Sequence, residues 1–501
     1  MSDLIERFGA LGRSRAPAVI DPNERVSFDE LVRRAEQSAR GLSAAGLGGQ
    51  RIALLIEPSA AFVEALFATL LAGAVAVPLC LQHPPPEHLR VLDSSGAAAI
   101  VASPGLLDAA AAIARGRPVH RVKDLRATAQ AASRADASDA DTAVILYTSG
   151  TTGRPKGALL THGNLSALAA LLGRAWSIAE GDLLVHALPL HHLHGFGIAL
   201  MTSLLGGATT KLLPRFEPAA VWEALGRATL FMGVPTMHKR LFDDFDAGDA
   251  ERRRRRTEQA RALRLVTSGS AALPVSIGER WVALTGSYPL ERFGMTEIGV
   301  GASNPLNGER RPGSVGPPLP GMQLRIVDGA GDDVQGGDSG ELWIKGPTLF
   351  RGYDGDPGAT ASAHSPDGWF RSGDTACWLP DGYVKILGRT SVDIIKSGGY
   401  KLSALEIEEL LREHPSVSEA AVVAVADETW GECAVAVVVA RGAVAEDGGA
   451  ELRAFAKARL APYKVPRHVL FRQELPRNPL GKVIKPELSA WAVRALAARG
   501  R

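Results

Sequence analysis

The stretch Tyr147-Thr148-Ser149-Gly150-Thr151-Thr152-Gly153-Arg154-Pro155-Lys156-Gly157 decides the fold. The apolar run Ala143–Tyr147 that leads into it reads as a buried strand. Four hydroxyl side chains precede the proline, and three glycines, Gly150, Gly153 and Gly157, punctuate the stretch. Glycine lets a backbone turn tightly and bring its N–H groups against a ligand. The hydroxyls add short donors, and Arg154 and Lys156 add positive charge. Such a loop is a cradle for phosphate oxygens. A flexible surface turn is the plainer alternative, but it requires neither the adjacent hydroxyls nor the Lys-Gly. The nucleotide-kinase loop needs Gly, four residues, then Gly-Lys-Ser/Thr. Here Lys156 lies between Pro155 and Gly157, so that loop is excluded.

The 501 residues suffice for two or three domains. With 46% hydrophobic and 22% charged residues the composition is that of a globular protein. Lys+Arg 56 against Asp+Glu 54 leaves a net charge of +2, without the basic excess of a general nucleic-acid binder. Cys80, Cys377 and Cys433 lie too far apart for a metal-ligand spacing or a disulfide framework, which fits a reducing cytoplasm. The first residues, with Asp3 and Glu6, resemble neither a signal nor a transit peptide. The most apolar stretch, Ala65–Leu81, contains Gly73 and Pro78. It reads as a buried helix and a strand, Ala74–Leu79, and not as a membrane span.

Along the chain, residues 26–45 predict a helix capped by Ser27, with Glu30 completing a capping box. Arg51–Ile56 predicts a strand, followed by a helix from Ser59. The alternation continues to about residue 230 and predicts a mostly parallel α/β sheet. Residues 108–116 and 127–139 read as a surface helix and a loop. Arg252–Arg256 is a run of five arginines behind Asp243, Asp244, Asp246 and Asp249, which predicts a solvated helix face balanced by acids. From Gly313 the texture turns to Gly, Pro and short strands (Gln323–Val327, Glu341–Lys345, Tyr383–Leu387), a β-rich subdomain. After Gly388 the chain reads as a separate α+β domain: strand Asp393–Lys396, helix Ser403–His414, strands Glu419–Ala426 and Ala434–Ala440, helix Ala450–Leu460. The domains expected are 1–388 and 389–501.

Three further motifs stand in order behind the phosphate stretch. They are Glu291-Arg292-Phe293-Gly294-Met295-Thr296-Glu297, then Arg371-Ser372-Gly373-Asp374 with Gly388-Arg389, then Asn478-Pro479-Leu480-Gly481-Lys482-Val483-Ile484-Lys485. Alone, these read as a strand-to-loop junction, a turn and a solvated lysine. A carboxylate such as Glu297 beside a triphosphate is repulsive unless a hard cation lies between them, and Mg²⁺ takes one or two carboxylates plus phosphate oxygens. With the phosphate stretch, the set resembles the adenylate-forming superfamily of acyl-CoA synthetases, luciferases and peptide-synthetase adenylation domains, from about residue 26 to 485.

The resemblance implies that superfamily's α/β fold, with a large N-terminal domain and a small, mobile C-terminal one. It implies ATP, Mg²⁺ and coenzyme A as cofactor and co-substrates. Thr148, Ser149, Gly150, Thr151, Thr152, Gly153, Arg154, Pro155 and Lys156 would hold phosphate. Phe293 would meet adenine, Thr296 the α-phosphate, Glu297 the metal, Asp374 both ribose hydroxyls, and Arg389 ribose and phosphate. Lys482 would be the mobile lysine that stabilises charge on the α-phosphate in the transition state. A carboxylate, already ionised at pH 7, attacks that phosphate without a general base; pyrophosphate leaves and a thiol accepts the acyl group. Superfamily relatives rotate the C-terminal domain between the two half-reactions, about a hinge just after Gly388-Arg389. Ser397, Gly398, Gly399, Tyr400 and Lys401 would then face the site and meet coenzyme A.

Leu188-Pro189-Leu190-His191-His192-Leu193-His194-Gly195 would border the acyl pocket. It holds no Asp to meet an ammonium group, which argues against an amino acid, and His194 would take part in substrate binding and catalysis. Ser268-Gly269-Ser270-Ala271-Ala272-Leu273-Pro274, Val234-Pro235-Thr236-Met237-His238-Lys239-Arg240 and the run from Gly388 to Lys401 resemble the malonyl-CoA synthetase subgroup. There the arginine matching Arg240 would bind the distal carboxylate, since a second buried anion is costly without such a partner. On the residues alone, Arg240 reads as a helix-surface cation within His238-Lys239-Arg240. Leu193 and Val300 depart from close relatives, which leaves methylmalonate open beside malonate. The alternatives are a short- or medium-chain monocarboxylic acid, and an acyl carrier protein as the thiol.

Overall fold

The apolar run ahead of the phosphate stretch is a strand, Thr142–Thr148, with Ala143–Leu146 buried. It pairs antiparallel with Lys156–Thr161, so that Thr148 faces Lys156 across the hairpin. The computed structural model describes residues 1–127, 136–148, 156–397, 400–427, 430–443, 448–478 and 481–499. The phosphate-loop residues Ser149 to Pro155 therefore lie outside the described residues, bracketed by that Thr148–Lys156 pair.

The α/β part of the chain is two sheets. The first runs Gly352–Tyr353, Lys156–Thr161, Thr142–Thr148, Val75–Pro78, Arg51–Leu55, Ala99–Ala102, Val119–Arg121. It is parallel from Thr142–Thr148 onward and antiparallel at the phosphate hairpin. The second runs Gly299–Ser303, Leu290–Met295, Leu265–Ser268, Leu230–Gly233, Leu183–His186, Thr209–Leu212, Pro17–Ile20, Arg25–Ser27. Strand–helix alternation carries no mark of which sheet a strand joins, and here it continues past residue 230 to the strand Leu290–Met295. The helix Ala60–Leu71 is apolar nearly all round and accordingly buried. Its one acid, Glu64, is met by Ser38 at 2.6 Å and Arg126 at 3.0 Å.

Ser27 does sit at the start of helix Phe28–Ala44, but the predicted capping box does not form. The Ser27 hydroxyl bonds Asp29, and Glu30 is taken by Arg33 and Arg34. The arginine run lies on helix Ala250–Arg261: Arg252 pairs with Asp244 and Arg254 with Glu258. Arg256 instead turns inward to Asp244 and the Trp222 ring. The β-rich subdomain is a four-stranded antiparallel sheet ordered Gln323–Val327, Ser339–Lys345, Phe370–Trp378, Val384–Arg389.

Beyond Arg389 the chain forms its own sheet, Tyr400–Ser403, Ile394–Ser397, Gly431–Ala440 and Val417–Asp427, with His468–Phe471 paired to Gly431–Ala440. One face is covered by helices Ala404–Arg412 and Gly448–Lys457 around Ile407, Leu411 and Leu452. The other is covered by helix Lys485–Arg499 through Leu488 and Ala492. Neither cluster merges with the core that the two large sheets share, which is the condition for a small domain that moves as a unit. Among the described residues no helix is long and apolar enough to cross a membrane.

Candidate active site

Strand Leu290–Met295 and the turn after it deliver the second motif to the phosphate hairpin. Glu297 is buried, and one of its oxygens accepts the Tyr353 hydroxyl at 2.9 Å. The Tyr353 ring lies under Lys156, whose Nζ is 5.1 Å from its centroid. A carboxylate and the lysine of the phosphate stretch thus share one phenol. Phe293 and Thr296 are half-buried beside them. Glu297 with Thr296 fits the pattern of one carboxylate beside phosphate oxygens that a Mg²⁺ ion takes.

Antiparallel pairing puts Asp374 opposite Arg389. Arg389 Nε lies 3.1 Å from Asp374 Oδ1, and its Nη1 donates to the Ser372 carbonyl at 2.6 Å. Asp374 is buried, and burial raises its pKa to about 6 against the pull of Arg389 and Lys482. Its Oδ2 is buried and accepts no hydrogen bond among the described residues. An acceptor left open beside an arginine suits a sugar hydroxyl. Lys482 is exposed, on a loop pinned by its own N–H to Asn478 Oδ1 at 2.9 Å. Gly481 before it is at φ 78° and packs on Thr236, whose Oγ1 would be 3.0 Å from an added Cβ. The C-terminal domain therefore sits with Lys482 close enough to Asp374 for its charge to lower that carboxyl's pKa. Ser397 pairs with Tyr400 across a hairpin; Gly398 and Gly399 lie outside the described residues, as do the side chains of Tyr400 and Lys401.

The acyl side is built where strand Leu265–Ser268 meets Leu290–Met295. His194 opens a π-helical segment, His194–Met201, a distortion that recurs at functional sites. The backbone there is close-packed: a Cβ on Gly195 would lie 2.3 Å from the Pro189 carbonyl oxygen. His194 Nδ1 is 3.2 Å from Ser270 Oγ, and Ser270 holds a left-handed φ of 69°, a strain characteristic of functional loops. Burial, with Arg292 adding to it, holds the His194 pKa well below 6.5, so the ring is neutral. Leu193 and Val300 are buried. The His191 and His192 rings are tilted at 50° with centroids 4.1 Å apart, and burial lowers their pKa values to about 3 and about 4.

Arg292 is the residue to which the sequence assigned nothing. It is 4% exposed. Its guanidinium rests against Gly269, where an added Cβ would lie 2.4 Å from Cζ. Burial alone lowers its pKa from 12.5 to about 10, and Nε and Nη2 have no hydrogen-bond partner among the described residues. Ser268 Oγ and His194 Nε2, nearby, are also buried without partners among the described residues. Each such group costs about 1–3 kcal/mol. Four such atoms, two on Arg292 and one each on Ser268 and His194, make this a candidate site for an incoming anion. Arg240, in contrast, is exposed on helix Pro235–Asp246 and stacks on Phe216 at 4.9 Å. It lies four residues, one helical turn, from Thr236, hence on the face that receives the Lys482 loop.

A profile of the AMP-binding enzyme family matches residues 9–354, and one of the AMP-binding enzyme C-terminal domain matches 406–482. The chain is 40% identical to the mitochondrial malonate–CoA ligase ACSF3 of Mus musculus, over 94% of this chain and 88% of the relative. ATP-bound MatB from Rhodopseudomonas palustris is similar at 36% identity and TM-score 0.90, covering 98% of this chain and 99% of that one. A malonyl-CoA ligase product complex with methylmalonyl-CoA and AMP, also 36% identical, covers 95% of this chain and 100% of its own at TM-score 0.69.

Proposed function

The chain belongs to the AMP-binding enzyme family, whose adenylate-forming fold it has, and from that premise we propose that it is a malonate–CoA ligase. It is an AMP-forming acyl-CoA ligase that uses ATP and coenzyme A. The malonate assignment is supported by the buried guanidinium of Arg292, whose Nε and Nη2 have no partner among the described residues, near His194 and Ser268. A dicarboxylate brings a second anion into the acyl pocket, and a buried arginine can meet it with paired charge-assisted bonds. Burial favours Arg292 as the anchor on the pocket floor, with Arg240 at the mouth. Leu193 and Val300 bound the space at the α-carbon, where a methyl group of methylmalonate would go.

The first carboxylate of the acid attacks the α-phosphate of ATP. The hydroxyls and N–H groups of residues 148–156 hold the phosphates, Thr296 the α-phosphate, Phe293 the adenine, and Asp374 and Arg389 the ribose. A Mg²⁺ ion held by Glu297 would offset charge on the triphosphate. Lys482 stabilises the charge that develops on the α-phosphate, and no general base is required because the acid is already ionised. Coenzyme A then takes the acyl group past Ser397–Lys401, with an acyl carrier protein as the alternative thiol. We place the domain boundary between residues 388 and 389 and the enzyme in the cytoplasm, feeding malonyl thioester to fatty-acid chemistry. Chromatography of a reaction holding malonate, ATP, Mg²⁺ and coenzyme A tests the reading. AMP and malonyl-CoA in equal amounts are expected; ADP as the nucleotide product, or no thioester, would overturn it.

A further inference from the structure

Helix Val275–Thr285 follows the loop that carries Ser268, Gly269 and Ser270. It starts at Pro274, which has no side-chain acceptor for the unpaired N–H groups of a first helical turn. The acceptor comes from the other domain: Val275 N–H donates to Glu409 Oε1 at 2.8 Å. Glu409 stands on helix Ala404–Arg412, and Arg412 Nη2 fixes its second oxygen at 2.6 Å. A carboxylate at this end also meets the positive end of the helix dipole. Two residues earlier, Leu273 N–H donates to Glu291 Oε2 at 3.3 Å, and Glu291 precedes Arg292 on its strand. Residues 270–275 are thus held on one side by the acyl-site strand and on the other by the C-terminal domain. Ser270, with its left-handed φ, begins that segment, and a strained backbone persists only where its surroundings fix it.

Resting on the adenylate-forming reading above, we propose that Glu409 is a positioning residue of the first half-reaction. With Lys482 turned to the nucleotide, Glu409 caps helix Val275–Thr285 and fixes the loop that grips the acid. A turn of the C-terminal domain that presents Ser397–Lys401 instead breaks this bond and loosens the loop, so the acid is held tightly only while it is being adenylated.

The test compares the half-reactions. Glu409→Ala lowers malonate-dependent ATP–pyrophosphate exchange about tenfold, ~1.4 kcal/mol, and leaves single-turnover transfer from purified acyl-adenylate to coenzyme A unchanged or faster. Glu409→Gln keeps an acceptor and recovers most of the exchange. Val275→Pro removes the donor instead: proline is tolerated at a first helical position, and Pro274 at ψ 130° already has the conformation that a following proline requires. It reproduces the Glu409→Ala loss, and the two together lose no more than either alone. Equal slowing of both half-reactions, unchanged exchange, or multiplied losses in the double variant would overturn the proposal. If the wild type exchanges nothing with malonate, the acid assignment fails, and the same comparison with an acid that does support exchange still decides the role of Glu409.

Discussion

Arg292→Met separates folding from function at the acyl site. Methionine has a similar reach, fills the space against Gly269, and carries no charge. Among the described residues the Arg292 Nε and Nη2 have no partner, and the fall of its pKa from 12.5 to about 10 corresponds to roughly 3 kcal/mol against the charged form. That cost is present at every pH below about 10, where the side chain is protonated. Removing the charge therefore leaves the substrate-free enzyme as stable as before or raises its melting temperature by a few degrees. Turnover moves the other way. Losing one member of a buried charge pair costs about 2–5 kcal/mol, which at ~1.4 kcal/mol per decade is roughly thirty- to several-thousandfold in kcat/KM for malonate. Acetate and butyrate lack the second carboxylate, so their slow turnover is spared. Thermal unfolding without substrate and pyrophosphate release with each acid give both numbers. A destabilised free enzyme together with an equal loss on every acid would refute the reasoning. Arg240→Ala, at an exposed position, costs malonate turnover less than Arg292→Met.

Asp374 titrates near pH 6 in the folded enzyme, above the 3.8 of an unburied aspartate. Its ionised form therefore costs the fold stability, a cost absent below pH 3.8 and complete above about pH 6. To accept from both ribose hydroxyls it must be ionised, since protonation turns one oxygen into a donor, so KM for ATP rises as pH falls through 6, and Asp374→Asn has a high KM without that dependence; a parallel pH profile in the variant would contradict this. Tyr353→Phe frees Glu297 from its phenol, a bond to a charged group worth about 1.5–3 kcal/mol, and raises the Mg²⁺ concentration for half-maximal rate about tenfold; an unchanged Mg²⁺ titration would contradict the link. Lys485 is buried between Asp393 at 2.5 Å and Glu408 at 2.6 Å, next to the proposed hinge. Lys485→Met takes the ammonium from two buried carboxylates, leaving Asp393 the Arg389 N–H and Glu408 the Val422 N–H and Arg412 at 3.9 Å, and destabilises the C-terminal domain by about 3–5 kcal/mol, read in its thermal unfolding; a loss under about 1 kcal/mol would contradict the burial argument.

The order of the motifs was legible because each is a local run whose chemistry needs neighbours in sequence. The apolar lead-in Ala143–Tyr147 proved to be a strand, as predicted, and Asp374 and Arg389 proved to be register partners on adjacent strands. Arg292 was not legible in its role, although it stands inside a quoted motif, since a cation on a strand carries no sign of whether it is buried. Tyr353 joins Glu297 and Lys156 from a distant segment, and Glu409 reaches Val275 from the other domain. Such links depend on tertiary placement, which no spacing encodes. The same holds for the split into two sheets, and for Ser27, whose hydroxyl found Asp29 before it could cap the helix.

The most direct test of the central claim is pyrophosphate release with ATP, Mg²⁺ and coenzyme A across malonate, methylmalonate, succinate, acetate, butyrate and octanoate. A preference for malonate, or for malonate and methylmalonate together, of at least about tenfold in kcat/KM over every monocarboxylate is predicted, one decade being ~1.4 kcal/mol of the buried charge pair. A preference for butyrate or octanoate would contradict it, leaving the adenylation chemistry in place and removing Arg292 and Arg240 as the selectors of the acid.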